Sequence, residues 1–179
     1  MKTYVMVFLF VGLTNQMIAQ PNEIIVQPDE MIAYTPSNQK VYATSKTALH
    51  SEYLKTVTKQ DLAVKIQTFQ NAIANYDITS SDVYQPNAEA SYTVNFNEGN
   101  NHITAIYDKD GQLVSSEENY KGIRLPYKLA SKLTKEYPNW GIEKVNCQIL
   151  FSSTKQESSI AYKVVLSNGK KLKKITIQI

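Results

Sequence analysis

One cysteine, two histidines and six glycines in 179 residues leave little material for the commoner kinds of site chemistry. Cys147 alone cannot close a disulfide within the chain. Zinc needs at least three protein ligands, and neither His50 nor His102 has another His or Cys at ligand spacing. Serines are plentiful, yet none stands in a Gly-x-Ser-x-Gly elbow, and no glycine-rich phosphate loop is present. The reading is therefore of a non-enzymatic chain with no cofactor and no metal. A formal net charge of +3 is too small to argue for nucleic acid. No apolar run reaches the ~20 residues that a membrane-spanning helix needs, so no stable membrane anchor is expected.

The longest apolar run, Tyr4 to Leu13, follows Lys2 and precedes polar Thr14, Asn15 and Gln16 and then Met17-Ile18-Ala19. This is the layout of a secretory signal peptide over residues 1–19, cut after Ala19. With no cysteine at the junction, a lipid anchor is not expected either. The chain reads as exported, periplasmic or secreted, with Gln20 first in the mature protein.

Residues 20–60 form an N-terminal arm. Ile24 to Val26 and Met31 to Tyr34 have strand character, interrupted by Pro21, Pro28 and Pro36. Leu49, Tyr53 and Val57 repeat at helical spacing. A clearer pattern begins at Asp61, a candidate N-cap for a helix striped by Leu62, Ile66, Phe69, Ile73 and Tyr76. Tyr92, Val94 and Phe96 then alternate along a strand. A turn at Asn97 to Asn101 leads to a second strand, His102 to Asp108. Asp108-Lys109-Asp110-Gly111 turns the chain into a third, Gln112 to Glu117. The Asp-x-Asp-Gly start resembles a calcium loop. The distal bidentate Glu that such a loop needs is replaced by Asn119, which favours a plain hairpin turn.

Leu125-Pro126 opens another helix, in which Leu129, Leu133 and Tyr137 share a face and Pro138 is the stop. Strands follow at Val145 to Phe151, Ile160 to Leu166 and Lys171 to Ile179, the last two joined by the hairpin signal Asn168-Gly169. Cys147 shares a strand face with Val145, Ile149 and Phe151, as a buried thiol would. Tyr92, Val94, Phe96 and Gly99 match Tyr162, Val164, Leu166 and Gly169 at a constant offset of seventy. The expected fold is α+β: one domain over residues 61–179, made of two tandem helix-plus-antiparallel-sheet repeats (61–120 and 121–179), with the helices packed on one face of the sheet.

Several segments carry a family likeness. They are Tyr92-Thr93-Val94-Asn95-Phe96, Tyr107-Asp108-Lys109-Asp110-Gly111, Leu125-Pro126 with Leu133, Tyr137-Pro138 and Trp140, and Tyr162-Lys163-Val164-Val165-Leu166. Their order and spacing resemble the PepSY-like, beta-lactamase-inhibitor-like secreted proteins of Gram-negative bacteria. The resemblance spans roughly Leu62 to Ile179. It implies a twofold helix-and-sheet repeat and export, and it transfers no inhibitor contact residues.

What remains is a choice between a binding or inhibitor-like module for a protein partner and a structural envelope protein without a discrete ligand. If the helices cover one face, Thr93, Asn95, Thr104, Asn146, Gln148, Lys163 and Val165 point to the other. Gln148 and Lys163 are taken as partner contacts there. Tyr120 and Tyr127, read as lying in polar surroundings beside the second helix, are taken as contacts at the edge. Lys170, Lys171, Lys173 and Lys174 form the strongest charge cluster. It suits either protection of an exposed strand or contact with an anionic lipid, polysaccharide or protein.

Overall fold

The computed structural model of the protein describes residues 30–34, 48–58, 61–86 and 89–179. The expected signal peptide and the strand-like Ile24 to Val26 lie outside them. The fold is α+β. Six strands run as an antiparallel meander: β2 (Ser91–Glu98), β3 (Asn101–Tyr107), β4 (Leu113–Lys121), β5 (Gly141–Ser152), β6 (Glu157–Asn168) and β7 (Lys171–Gln178). A short β1 (Glu30–Tyr34) pairs in parallel with β2 and extends the sheet at that edge. Among the described residues there are three α-helices, α1 (Ser51–Val57), α2 (Val64–Ala74) and α3 (Tyr127–Glu136), and a 3-10 turn at Ile78–Ser80.

Strand alternation puts a continuous apolar set on one face. Tyr92 pairs with Tyr107 and Phe96 with Ile103, while Cys147 faces both Tyr120 and Tyr162. All of these side chains are buried, in one cluster with Tyr53 and Val57 of α1, Ile66, Phe69 and Ile73 of α2, and Leu133 of α3. The helices thus share one face of the sheet. Edge-to-face ring contacts fix their seats: Tyr53 on Phe151 at 5.1 Å and Phe69 on Tyr120 at 5.8 Å.

Helix ends depart from the sequence expectation. Asp61 does not cap α2; it adopts a left-handed φ of 71°, and the helix starts at Val64 with Ala63 as its N-cap. The Gln67 amide reaches back to the Leu62 carbonyl at 2.8 Å, satisfying a group ahead of the helix. Leu62 and Tyr76 lie outside α2 yet still pack on the core, so the five-residue stripe outlasts the helix at both ends. Leu49, read with Tyr53 and Val57, precedes α1 and is exposed. His50 ties α1 to the end of α2, its backbone N–H donating to Ala74 O at 2.8 Å and its Nε2 to Tyr76 O at 3.0 Å. In α3, Pro126 is the N-cap and Tyr137 the C-cap.

Turns follow their chemistry. The Asp108 carboxylate accepts from the backbone N–H of Asp110 and Gln112 at 3.0 and 2.8 Å, which occupies it in closing its own hairpin. Gly111 holds φ +76°, and a Cβ there would meet the Thr79 methyl at 2.8 Å. Gly169, at φ +59°, turns β6 into β7. A helix followed by three strands occurs twice, α2 with β2 to β4 and α3 with β5 to β7. The residues seventy apart fall on β2 and β6, the first strand after α2 and the second after α3, so the offset does not align the two series of strands.

Candidate functional site

The face turned away from the helices is mostly polar, with Leu150 of β5 and Leu172 of β7 exposed among the polar groups. Asn95 and Asn97 of β2, His102 and Thr104 of β3, Glu117 and Asn119 of β4, Gln148 of β5 and Lys163 of β6 reach it by alternation, all exposed or half-buried. They bond to one another across strands. Thr104 Oγ1 donates to Asn95 Oδ1 at 2.9 Å and lies 3.1 Å from His102 Nε2, whose other ring nitrogen meets Asn97 Oδ1. Glu117 Oε1 accepts from Asn119 Nδ2 and from Gln148 Nε2, both at 3.1 Å, and Gln148 Oε1 accepts from Lys163 Nζ at 3.3 Å. The arrangement leaves amide, hydroxyl, carboxylate and ammonium groups open to solvent over several strands, which suits hydrogen-bonded recognition of a flat polar partner.

Of the four residues singled out from the sequence, Gln148 and Lys163 are brought together, and Glu117 joins them from β4. Thr93 is buried, unlike its neighbours on that face. Tyr127 stands apart, 81 % exposed at the start of α3 in the helix layer. Tyr120 is a correction: it is fully buried, because β4 runs on to Lys121 and alternation turns Tyr120 inward against Phe69. Its polar neighbours Asn119 and Lys121 face the other way, and their polarity hid its direction.

The group that the sequence reading missed lies behind Tyr120. Glu118 is fully buried, and its carboxylate accepts hydrogen bonds from Tyr53 Oη at 2.6 Å, Tyr120 Oη at 2.7 Å and Ser116 Oγ at 3.1 Å. Burial pushes its carboxyl above the usual range, and the three hydroxyl donors offset only part of that. Burial, with the carboxylate nearby, also raises the Tyr53 and Tyr120 phenols, which therefore keep the protons they donate. Gln70 of α2 is buried beside them, its amide close enough to the carboxylate to favour its charge but short of hydrogen-bond geometry. The signal that finds this cluster is parity: Glu118 stands two residues from Tyr120 and pairs with Ile103 and Ile149, both buried. Sealed from solvent, the carboxylate holds α1 to β4 and cannot meet a ligand. Cys147 is likewise sealed, and burial pushes its thiol up to about 12, far from a reactive thiolate.

One open depression of about 380 Å³ lies where the α3 approach meets the start of β5, lined by Ile123, Arg124, Leu125, Ala130 and Lys144 among others. Among the described residues, no group of three His, Cys, Asp or Glu stands close enough to hold a metal, and no helix is long and apolar enough to cross a membrane. The chain matches no protein-family model, no curated protein and no solved structure.

Proposed function

We propose that the chain is an exported, non-catalytic binding module, PepSY-like and beta-lactamase-inhibitor-like with two tandem helix-and-sheet units, that engages a protein partner through the open face of its sheet. The observation that carries this reading is the hydrogen-bonded set of Glu117, Asn119, Gln148 and Lys163, left uncovered while all three helices occupy the other face. Cross-strand amide and carboxylate contacts stabilise a wetted sheet face as well. A face that docks gains from them, because side chains already held in place lose less freedom on binding. Export rests on the charged start, apolar run and small-residue junction of residues 1–19.

The test is capture from an envelope fraction with the protein and with a Gln148→Ala, Lys163→Ala double variant. The parent should retain a partner that the variant loses, with melting transitions nearly coincident. Equal capture by both would sink the sheet-face reading. An envelope defect on deletion, with no partner captured, would favour the structural role. Intact-mass measurement of the native protein should show a chain beginning at Gln20.

A further inference from the structure

The net charge of +3 conceals a division along the chain. Residues 1–120 carry seven lysines against thirteen Asp and Glu, whereas residues 121–179 carry twelve Lys and Arg against three Glu. In the acidic part, Lys55, Lys65 and Lys109 each sit beside a carboxylate, of Glu52, Glu98 and Glu89. In the basic part, only Lys155 forms such a pair among the described residues, with Glu157. The surplus is concentrated at β7, where Lys170, Lys171, Lys173 and Lys174 are all exposed.

The sheet order ends at β7, which pairs with β6 alone. Its outer backbone edge faces no strand among the described residues, and its first four residues are exposed on both faces. Lys173 lies on the helix side, 4.4 Å above the Tyr137 ring, and Lys171 shares that side by alternation. Lys174, with Leu172, lies on the open side. Lysines on both sides of one strand do not make the single plane that a lipid surface touches. They do flank an edge on which another strand would lay its own side chains alternately.

We infer that the free edge of β7 accepts an extended acidic segment of another protein, which adds to the sheet as a further strand. Backbone groups of β7 supply the pairing, and Lys171, Lys173 and Lys174 select carboxylates on either face of the incoming strand. The same lysines reject a second copy of β7, which would set ammonium groups against ammonium groups. Gln148 lies two strands in from this edge, so Gln148→Ala alone should keep its affinity for such a segment.

The probe is a short fluorescent peptide of adjacent Glu pairs spaced by Thr and Val, which puts carboxylates on both faces of the strand, offered to the purified protein at low and moderate salt. The peptide should bind, more weakly as salt rises, and its counterpart with Lys in place of Glu should not. N-methylation of one or the other alternate set of peptide nitrogens should weaken binding about tenfold for one of the two sets. Bound peptide should slow hydrogen exchange at β7 amides. Lys171→Glu, Lys173→Glu and Lys174→Glu together should reverse the preference to the Lys peptide. Equal binding of both methylated peptides, or unchanged β7 exchange, would overturn strand addition. Binding to heparin or to phosphatidylglycerol vesicles with no peptide binding would assign the lysines to a polyanion and overturn it as well.

Discussion

Glu118 shows how one buried acid can organise a small core. Its three hydroxyl donors come from α1 and from β4 itself, so the carboxylate joins a helix to the middle of the sheet. Burial raises its pKa above the usual carboxylate value of 4.5. The folded state then holds the proton more tightly than the unfolded chain does. Its contribution to stability is complete below the usual value and is lost as pH rises through the raised one. Glu118→Gln has no such titration, so in urea denaturation its stability relative to the parent should improve as pH rises from 4 toward neutrality. A parent that gains on the variant over that range would mean that the hydroxyl donors outweigh burial. Glu118→Ala strands the Tyr53 and Tyr120 hydroxyls in the core and should cost about 2–4 kcal/mol near pH 4, less as pH rises, because it too lacks the titration.

Among the elements, α3 and β4 teach opposite lessons. The α3 pattern was legible because a helix repeats its inward face every three or four residues and closes against prolines. Pro126, Leu133 and Pro138 stand where that predicts, and Leu133 alone is fully buried within the helix. Leu133→Ala should cost about 2–5 kcal/mol in a denaturant melt, while Tyr127→Ala, at an 81 % exposed position, should be nearly silent. Similar losses from both would mean that Tyr127 packs after all. β4 read as ending near Glu117 because Ser116 and Glu118 look like surface residues. They are held inward because their polar atoms bond to one another, to Tyr120 on the same strand and to Tyr53 of α1, a partner that the local sequence does not show. Tyr120 is hidden instead by its polar neighbours Asn119 and Lys121.

For the molecule, consecutive strands pair throughout β2 to β7, so most of the sheet assembles from neighbours in sequence. Protection should not be uniform. Hydrogen exchange should be slowest for β3 to β6, which have strands on both sides and fully buried side chains on their inner face. It should be fastest in α3 and the outer part of β7, each held from one side. An α3 as protected as β5 would contradict this picture of where the fold is weakest.

Alternation and turn chemistry belong to the chain itself. Tyr92-Val94-Phe96, Tyr162-Val164-Leu166 and the glycines of the hairpins specify inward faces and reversals wherever the strands are placed, because side-chain direction and φ are local properties. The helix stripes are readable for the same reason, and so is the opposition of Gln148 and Lys163 to the core set. Three features were decided only by tertiary contact. Glu118 and Ser116 are tolerated inside because α1, far away in sequence, delivers the Tyr53 hydroxyl to a carboxylate that Tyr120 and Ser116 meet from the same strand. Glu117 joins Gln148 and Lys163 because β4 and β5 pair in that register. The lysines of β7 become an edge because no described strand follows them in the sheet, and a strand's neighbours are set by the assembled fold.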